Sequence, residues 1–298
     1  MQRLVGVLAV ALVGFVALVG LMGCAAATQA SGVAEPDPPP ALDYVALGDS
    51  AAAGPLIPRA TGFPGCLQSD ANYPHVLAGL IGAASFVDVS CSSARSANIA
   101  TDPQITNSGT VPVQLDALSP DTDLVTVTIG GNDVDLVSTA LGCVNFSPEP
   151  NGTSCKDRFT AGGRDTVADA IDDAAPSWGR MVDDIADRAP NARIVVVGYG
   201  TYVQPGGCPG VQPIWARDAD YLQGSVDRMN DALAAQAAEH GGEFVDIRPV
   251  SVGHDGCAAP EQRYLEGVVP TGVAAPLHPT AAGMAAFARV VADSLGPS

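Results

Sequence analysis

Basic side chains are scarce in this chain of 298 residues. Fourteen Lys and Arg stand against 32 Asp and Glu, and Lys156 is the sole lysine. The resulting net charge of −18 repels phosphate backbones and anionic headgroups, which argues against nucleic-acid binding and against simple electrostatic adhesion to membranes. Aromatic residues make up only 5%, so no aromatic platform for stacking sugars is visible. There is no Cys-x-x-Cys pair, which disfavours a zinc ribbon or a thioredoxin-like redox motif. No His-Glu-x-x-His occurs, no Gly-Lys-Ser/Thr follows the Gly130-Gly131 pair, and Gly198-Tyr199-Gly200 lacks the third glycine of a dinucleotide fingerprint. Neither a metal nor an organic cofactor is expected.

Hydrophobic residues are plentiful at 47%, enough for a sizeable core in one large domain or two small ones. The longest apolar run lies at the start. Arg3 precedes an unbroken stretch of apolar and glycine residues from Leu4 to Met22, then Leu21-Met22-Gly23-Cys24. A positive start, an apolar core and a small residue before the cut describe a signal peptide. The cysteine resembles that of a bacterial lipobox, so residues 1–23 are expected to be removed and Cys24 to carry lipid. An uncleaved membrane anchor is the competing reading of a run this long. Either way the remainder is expected to be exported, as a lipoprotein on the outer face of the cytoplasmic membrane or as a secreted protein. Residues 24–41, rich in Ala and ending in Pro38-Pro39-Pro40, read as an extended tether. The domain proper is placed at 42–298.

With Cys24 assigned to lipid, six cysteines remain: Cys66, Cys91, Cys143, Cys155, Cys208 and Cys257. In an exported protein an even six suggests three disulfides, although fifteen pairings are open and spacing does not choose among them. Pairing neighbours in sequence gives Cys66–Cys91, Cys143–Cys155 and Cys208–Cys257. Five of the six cysteines fall in long loops, at 54–72, 142–163, 201–216 and 250–277. Asn145 and Asn151 each begin an Asn-x-Ser/Thr sequon. The bacterial-type start leaves them without glycan.

Five β-rich runs are expected at 44–47, 86–90, 124–129, 194–199 and 244–247. Several are nearly continuous in Val and Ile, the pattern of a parallel sheet covered on both faces. Helical stretches at 73–81, 167–188, 218–239 and 280–295 alternate with them. Ala189-Pro190-Asn191 and His240-Gly241-Gly242 punctuate helix ends. The alternation predicts a three-layer α/β/α sandwich with a five-stranded, mostly parallel sheet.

In such sheets ligands bind beyond the carboxyl ends of the strands. Ser50 follows the first run, Ser92-Ser93 the second and Asn132 the third, so distant parts of the chain converge at one edge. Gly48-Asp49-Ser50 supplies an exposed hydroxyl, Asn132 an amide donor and His278, before Pro279 at the start of the last helix, an imidazole. A nucleophile, a base and a donor to a developing oxyanion are the parts of acyl transfer by a serine hydrolase. Ser50 also suits a helix N-cap, and the two roles coexist. Of the other histidines, His75 reads as a satisfied helix residue and His240 as a helix C-terminal one. His254, in Gly253-His254-Asp255-Gly256-Cys257, is the serious competitor to His278. Asp49 and Asp133 read as turn-fixing carboxylates.

Four blocks in this order resemble the SGNH/GDSL hydrolase family: Gly48-Asp49-Ser50 with Gly54 following, Cys91-Ser92-Ser93-Ala94, Gly130-Gly131-Asn132-Asp133, and Leu277-His278-Pro279-Thr280. The cysteine-rich pattern is similar to the secreted actinobacterial esterase and lipase branch. The resemblance implies a flavodoxin-like fold and hydrolysis of carboxylic esters, with Ser50 as nucleophile and His278 as base and then acid. It implies an oxyanion hole of the Ser50 N–H, the Ser93 N–H and the Asn132 carboxamide. Two departures stand out. Serine occupies position 93 where glycine is usual, and a positive φ there would strain it. Ala275 stands where many members carry an aspartate, so its backbone carbonyl is the expected partner of the imidazole, with Asp255 as a more distant alternative. The substrate implied is a small-molecule or lipid ester, the partner a membrane reached through the lipid anchor, and the protein a monomer. Two other readings remain: deacetylation of cell-wall carbohydrate, and a non-catalytic surface lipoprotein that binds acyl chains or glycans.

Overall fold

A computed structural model describes residues 42–296. The expected signal peptide, lipidated Cys24 and tether lie outside the described residues. Five parallel strands form the central sheet: β1 (Asp43–Gly48), β2 (Ser85–Asp88), β3 (Leu124–Thr128), β4 (Arg193–Val197) and β5 (Glu243–Val245). Their order is β2-β1-β3-β4-β5. The chain runs outward from β1 to β2, then crosses back to β3 on the other side of β1. That reversal opens a crevice above the carboxyl ends of β1 and β3.

Strand pleating sorts the core into two layers. Val45, Leu47, Val125, Val127 and Val196 face one side, where they meet Ile171, Trp178, Met181, Val226 and Met229. Those partners come from α6 (Thr166–Arg188) and α7 (Ala216–Glu239). Tyr44, Ala46, Val195 and Val197 face the other side, against Leu77, Met284, Phe287 and Val291 of α2 (Tyr73–Leu80) and α9 (Ala281–Leu295). Five shorter helices complete the set: α1 (Ser50–Ala53), α3 (Ser96–Ala100), α4 (Leu136–Leu141), α5 (Cys155–Phe159) and α8 (Arg248–Ser251). Two small antiparallel pairs, Ala60–Thr61 with Gln68–Ser69 and Gln104–Thr106 with Gly109–Val111, decorate the loops and carry no period-2 signal long enough to read.

Three disulfides join Cys66 to Cys91, Cys143 to Cys155 and Cys208 to Cys257. Among the described residues no helix is long and apolar enough to cross a membrane.

Candidate active site

The turn after β1 is set by its glycine. Gly48 has φ 143°, and a Cβ there would come within 2.6 Å of the Thr128 carbonyl. Only glycine lets the two strands close at this point. The Asp49 N–H then donates to Thr128 O at 2.9 Å, and the Gln114 side chain pairs with both backbone groups of Gly48, at 2.7 and 2.9 Å. Asp49 caps α1, its Oδ1 accepting from the Ala51 N–H at 2.8 Å. Ser50 thus opens a short helix in which the N–H groups of Ala51, Ala52 and Ala53 are all held by Asp49. Among the described residues no acceptor is bonded to the Ser50 N–H.

His278 sits on the segment before α9. That segment is tied to its surroundings by Ala275 N–H to Pro55 O (3.2 Å), Leu277 N–H to Gly267 O (3.1 Å) and Glu266 N–H to His278 O (3.0 Å). The imidazole Nε2 lies 2.7 Å from Ser50 Oγ. Its Nδ1 lies 2.7 Å from the carbonyl of Pro276. A carbonyl only accepts, so Nδ1 carries the proton, Nε2 is the acceptor, and the Ser50 hydroxyl donates to it. Burial holds the imidazole below its ordinary titration range, opposed by the Pro276 carbonyl. It is neutral at neutral pH and ready to take a proton.

This corrects one expectation. The partner of the ring is Pro276, not Ala275. The Ala275 carbonyl is already used, closing a tight turn by accepting the backbone N–H of His278 at 3.2 Å. Leu277, at φ 62°, reverses the chain so that the Pro276 carbonyl faces the ring. Asp255, the other candidate, is buried and accepts from the Cys257 N–H at 2.8 Å. His254 stacks on Tyr264 and bonds the Gln262 carbonyl through Nδ1.

Asn132 stands on the turn after β3, where Gly130 has φ 124° and a Cβ would lie 3.3 Å from the Trp178 ring. The Asn132 Nδ2 donates to Ala94 O at 2.9 Å. A carboxamide nitrogen has two hydrogens, so one remains for the crevice. Ser50, Asn132 and His278 line the same cavity. Ser93 does not line it. Its turn is bound at one end by Cys91, through its N–H to Gly48 O at 2.9 Å and its bridge to Cys66, and at the other by the Ala94 carbonyl that accepts from Asn132, which sets it between the end of β1 and Asn132. Ser93 adopts φ 70°, the left-handed conformation in which glycine would be unstrained.

The largest feature missed from sequence is Tyr199, just beyond β4. Its hydroxyl donates to Asp49 Oδ2 at 2.5 Å and accepts from the Gly131 N–H at 2.9 Å. Asn230 on α7 clamps both backbone groups of Tyr199 at 2.8 Å. One buried phenol therefore links the residue before Ser50 to the residue before Asn132. Burial pushes Asp49 up to about 7, against the bond from Tyr199. Asp133 likewise collects the Ser96 N–H and the Trp178 indole N–H at 3.0 Å each, tying the third block to the start of α3 and to α6. A tyrosine between two glycines after a strand was the only sequence signal for the first link, and Gln114 in its apolar surroundings gave none.

Beyond the Ser–His pair the cavity wall is mostly aliphatic, with Leu136 and Ala140 of α4, Leu222 and Val226 of α7, and Ile214 and Val268, joined by Tyr202, Gln212 and Gln223. Such a wall suits a hydrocarbon chain better than a sugar.

A family model described as GDSL-like lipase/acylhydrolase matches residues 46–286. The chain is 37% identical to Lipase 2 of Streptomyces coelicolor over 94% of its own length and 95% of that protein's. Among solved structures it is similar to a phospholipase A1 from Streptomyces albidoflavus, with 28% identity and a TM-score of 0.71 over 85% of this chain and 99% of that one. An extracellular lipase from Streptomyces rimosus gives 28% identity and a TM-score of 0.68 over the same shares.

Proposed function

Because this chain belongs to the GDSL-like lipase/acylhydrolase family, we propose that its ester hydrolysis runs through Ser50 and His278. The chain is a serine ester hydrolase; what we assign is its machinery. The observation that carries the assignment is the 2.7 Å contact between Ser50 Oγ and His278 Nε2, with the opposite ring nitrogen bound to a backbone carbonyl.

In the first half-reaction Ser50 Oγ attacks the ester carbonyl as its proton passes to Nε2. The Pro276 carbonyl steadies the imidazolium that forms. Negative charge on the carbonyl oxygen is met by the Ser50 N–H and the second hydrogen of Asn132. The imidazolium returns its proton to the departing alcohol, leaving an acyl-serine. Water, deprotonated by the same Nε2, then releases the acid and restores the hydroxyl. The hydrogen bonds that fix Asp49, Gly131 and Asp133 mean that the donors need little reorganisation.

The aliphatic wall favours an acyl chain over an acetylated sugar as the group bound beside Ser50. A short Ser–His contact favours turnover over passive binding. We also place the protein outside the cytoplasm: three disulfides need an oxidising compartment, and one solved relative is described as an extracellular lipase. Lipid on Cys24 would add a membrane anchor. The test is turnover of p-nitrophenyl butyrate and p-nitrophenyl acetate beside release of acetate from an acetylated polysaccharide. Expected is ester turnover lost in Ser50→Ala and in His278→Ala with unchanged circular dichroism, and butyrate preferred to acetylated polysaccharide. Parent-like turnover in either variant would overturn the assignment.

A further inference from the structure

Charge is distributed unevenly over this molecule. Four segments, 50–58, 136–148, 201–215 and 267–279, contain no Asp, Glu, Lys or Arg in a chain whose charged share is 15%. All four border the cavity of Ser50 and His278. Three contacts link them in series, making a ring of segments about the cavity. Pro55 O accepts from the Ala275 N–H, and Pro213 O accepts from the Asn145 N–H. Gln212, itself buried, bonds the N–H and the carbonyl of Val269. On this ring large apolar side chains stand in solvent: Leu56 (61% exposed), Leu141 (52%), Phe146 (86%) and Val273 (64%). The Cys143–Cys155 bridge anchors the loop that carries Phe146. The opposite pole, where the strands begin, is charged, with Asp43 and Asp123 beside one another and Arg193 paired with Glu243.

An uncharged apolar ring around the mouth of an aliphatic cavity, on a body of net charge −18, has a definite complement. Exposed apolar patches of this kind mark contact surfaces. The four segments themselves hold no Asp, Glu, Lys or Arg to be desolvated when they dock into a low-dielectric medium. Excess negative charge on the rest of the body disfavours an anionic surface. We propose that the ring seats the protein on a lipid surface of zero net charge, so that an ester passes from the lipid into the cavity without crossing water. The proposal rests on the ester-hydrolase reading for what enters the cavity, whereas the docking itself does not require turnover.

Hydrogen exchange on full-chain Ser50→Ala, with and without phosphatidylcholine vesicles, tests the docking. The expected result is slowed exchange in the four ring segments, no change at 119–123, 189–192 and 240–242 on the opposite pole, and less protection when a third of the lipid is phosphatidylglycerol. No protection of the ring, protection spread equally over both poles, or stronger protection by the anionic vesicles overturns the proposal. Ring protection that appears without lipid as protein concentration rises would make it an interface between copies, and also overturns it. A second arm uses Leu56→Ser/Leu141→Ser/Phe146→Ser in the active protein. Its rate on a vesicle-embedded ester should fall at least tenfold relative to its rate on monomeric p-nitrophenyl butyrate. An equal fall on both substrates contradicts docking. Loss of labelling or turnover at Ser50 in the parent, with ring protection intact, would instead sink the catalytic reading alone.

Discussion

Replacing Tyr199 by phenylalanine removes one oxygen and breaks two bonds. The Gly131 N–H loses its acceptor at 2.9 Å and Asp49 Oδ2 loses its donor at 2.5 Å. Both groups are buried. An unsatisfied buried polar group costs about 1–3 kcal/mol, so the pair should cost about 2–5 kcal/mol. At about 2–4 °C per kcal/mol for a domain of this size, the expected loss is on the order of 5–15 °C in midpoint. The cost also depends on pH. Burial raises Asp49 from its ordinary carboxylate range to about 7. Folding therefore binds a proton, and stability present at low pH is lost as pH rises through about 7. The Tyr199 bond opposes this rise; without it the carboxyl holds its proton to still higher pH, so the variant loses more stability relative to the parent at pH 9 than at pH 5. Because Asp49 precedes Ser50 and Gly131 precedes Asn132, kcat should drop by roughly tenfold with KM little changed, the mark of displaced donors. Thermal denaturation, urea denaturation at pH 5 and pH 9, and p-nitrophenyl butyrate kinetics read the three quantities. A midpoint within 1 °C of the parent, or the same stability difference at both pH values, refutes the role given to this phenol.

Asn132→Ala should lower kcat by about 10²–10³, and a loss under threefold removes it from the oxyanion hole. The rate should rise with pH as the imidazole loses its proton, along a limb centred below the ordinary histidine value, since burial lowers His278; a kcat/KM profile still climbing steeply above pH 7.5 would contradict that environment. The Cys66–Cys91 bridge closes a loop of 25 residues, worth about 3–4 kcal/mol by chain entropy. Cys66→Ser/Cys91→Ser should lose about that much in urea and lose kcat as well, because the Ser93 turn is freed. Full activity in a destabilised variant would separate that turn from catalysis.

Much of this site is legible in the sequence, because its parts sit where strands end. Ser50 and Asn132 follow Val- and Leu-rich runs that could only be buried strands, and a parallel sheet gathers such ends at one edge. His278 was readable from the helix start behind it. What stayed hidden depends on contacts between segments far apart in sequence. Tyr199 reaches Asp49 across 150 positions, and no local pattern announces that. Ala275 and Pro276 both offer a carbonyl near the ring; which one faces it is decided by a single positive φ at Leu277, a torsion with no signature in a Pro-Leu-His sequence. The short pairs around residues 60–69 and 104–111 were invisible for a different reason: two or three residues are too few for alternation to show.

Ester hydrolysis by this chain needs an activated hydroxyl at position 50, and a fluorophosphonate probe reads that activation directly. Peptide mapping after brief exposure should find the adduct on Ser50 alone, with labelling slowed at least a hundredfold in His278→Ala. An unlabelled protein, an adduct on another residue, or equal labelling rates with and without the imidazole would contradict it.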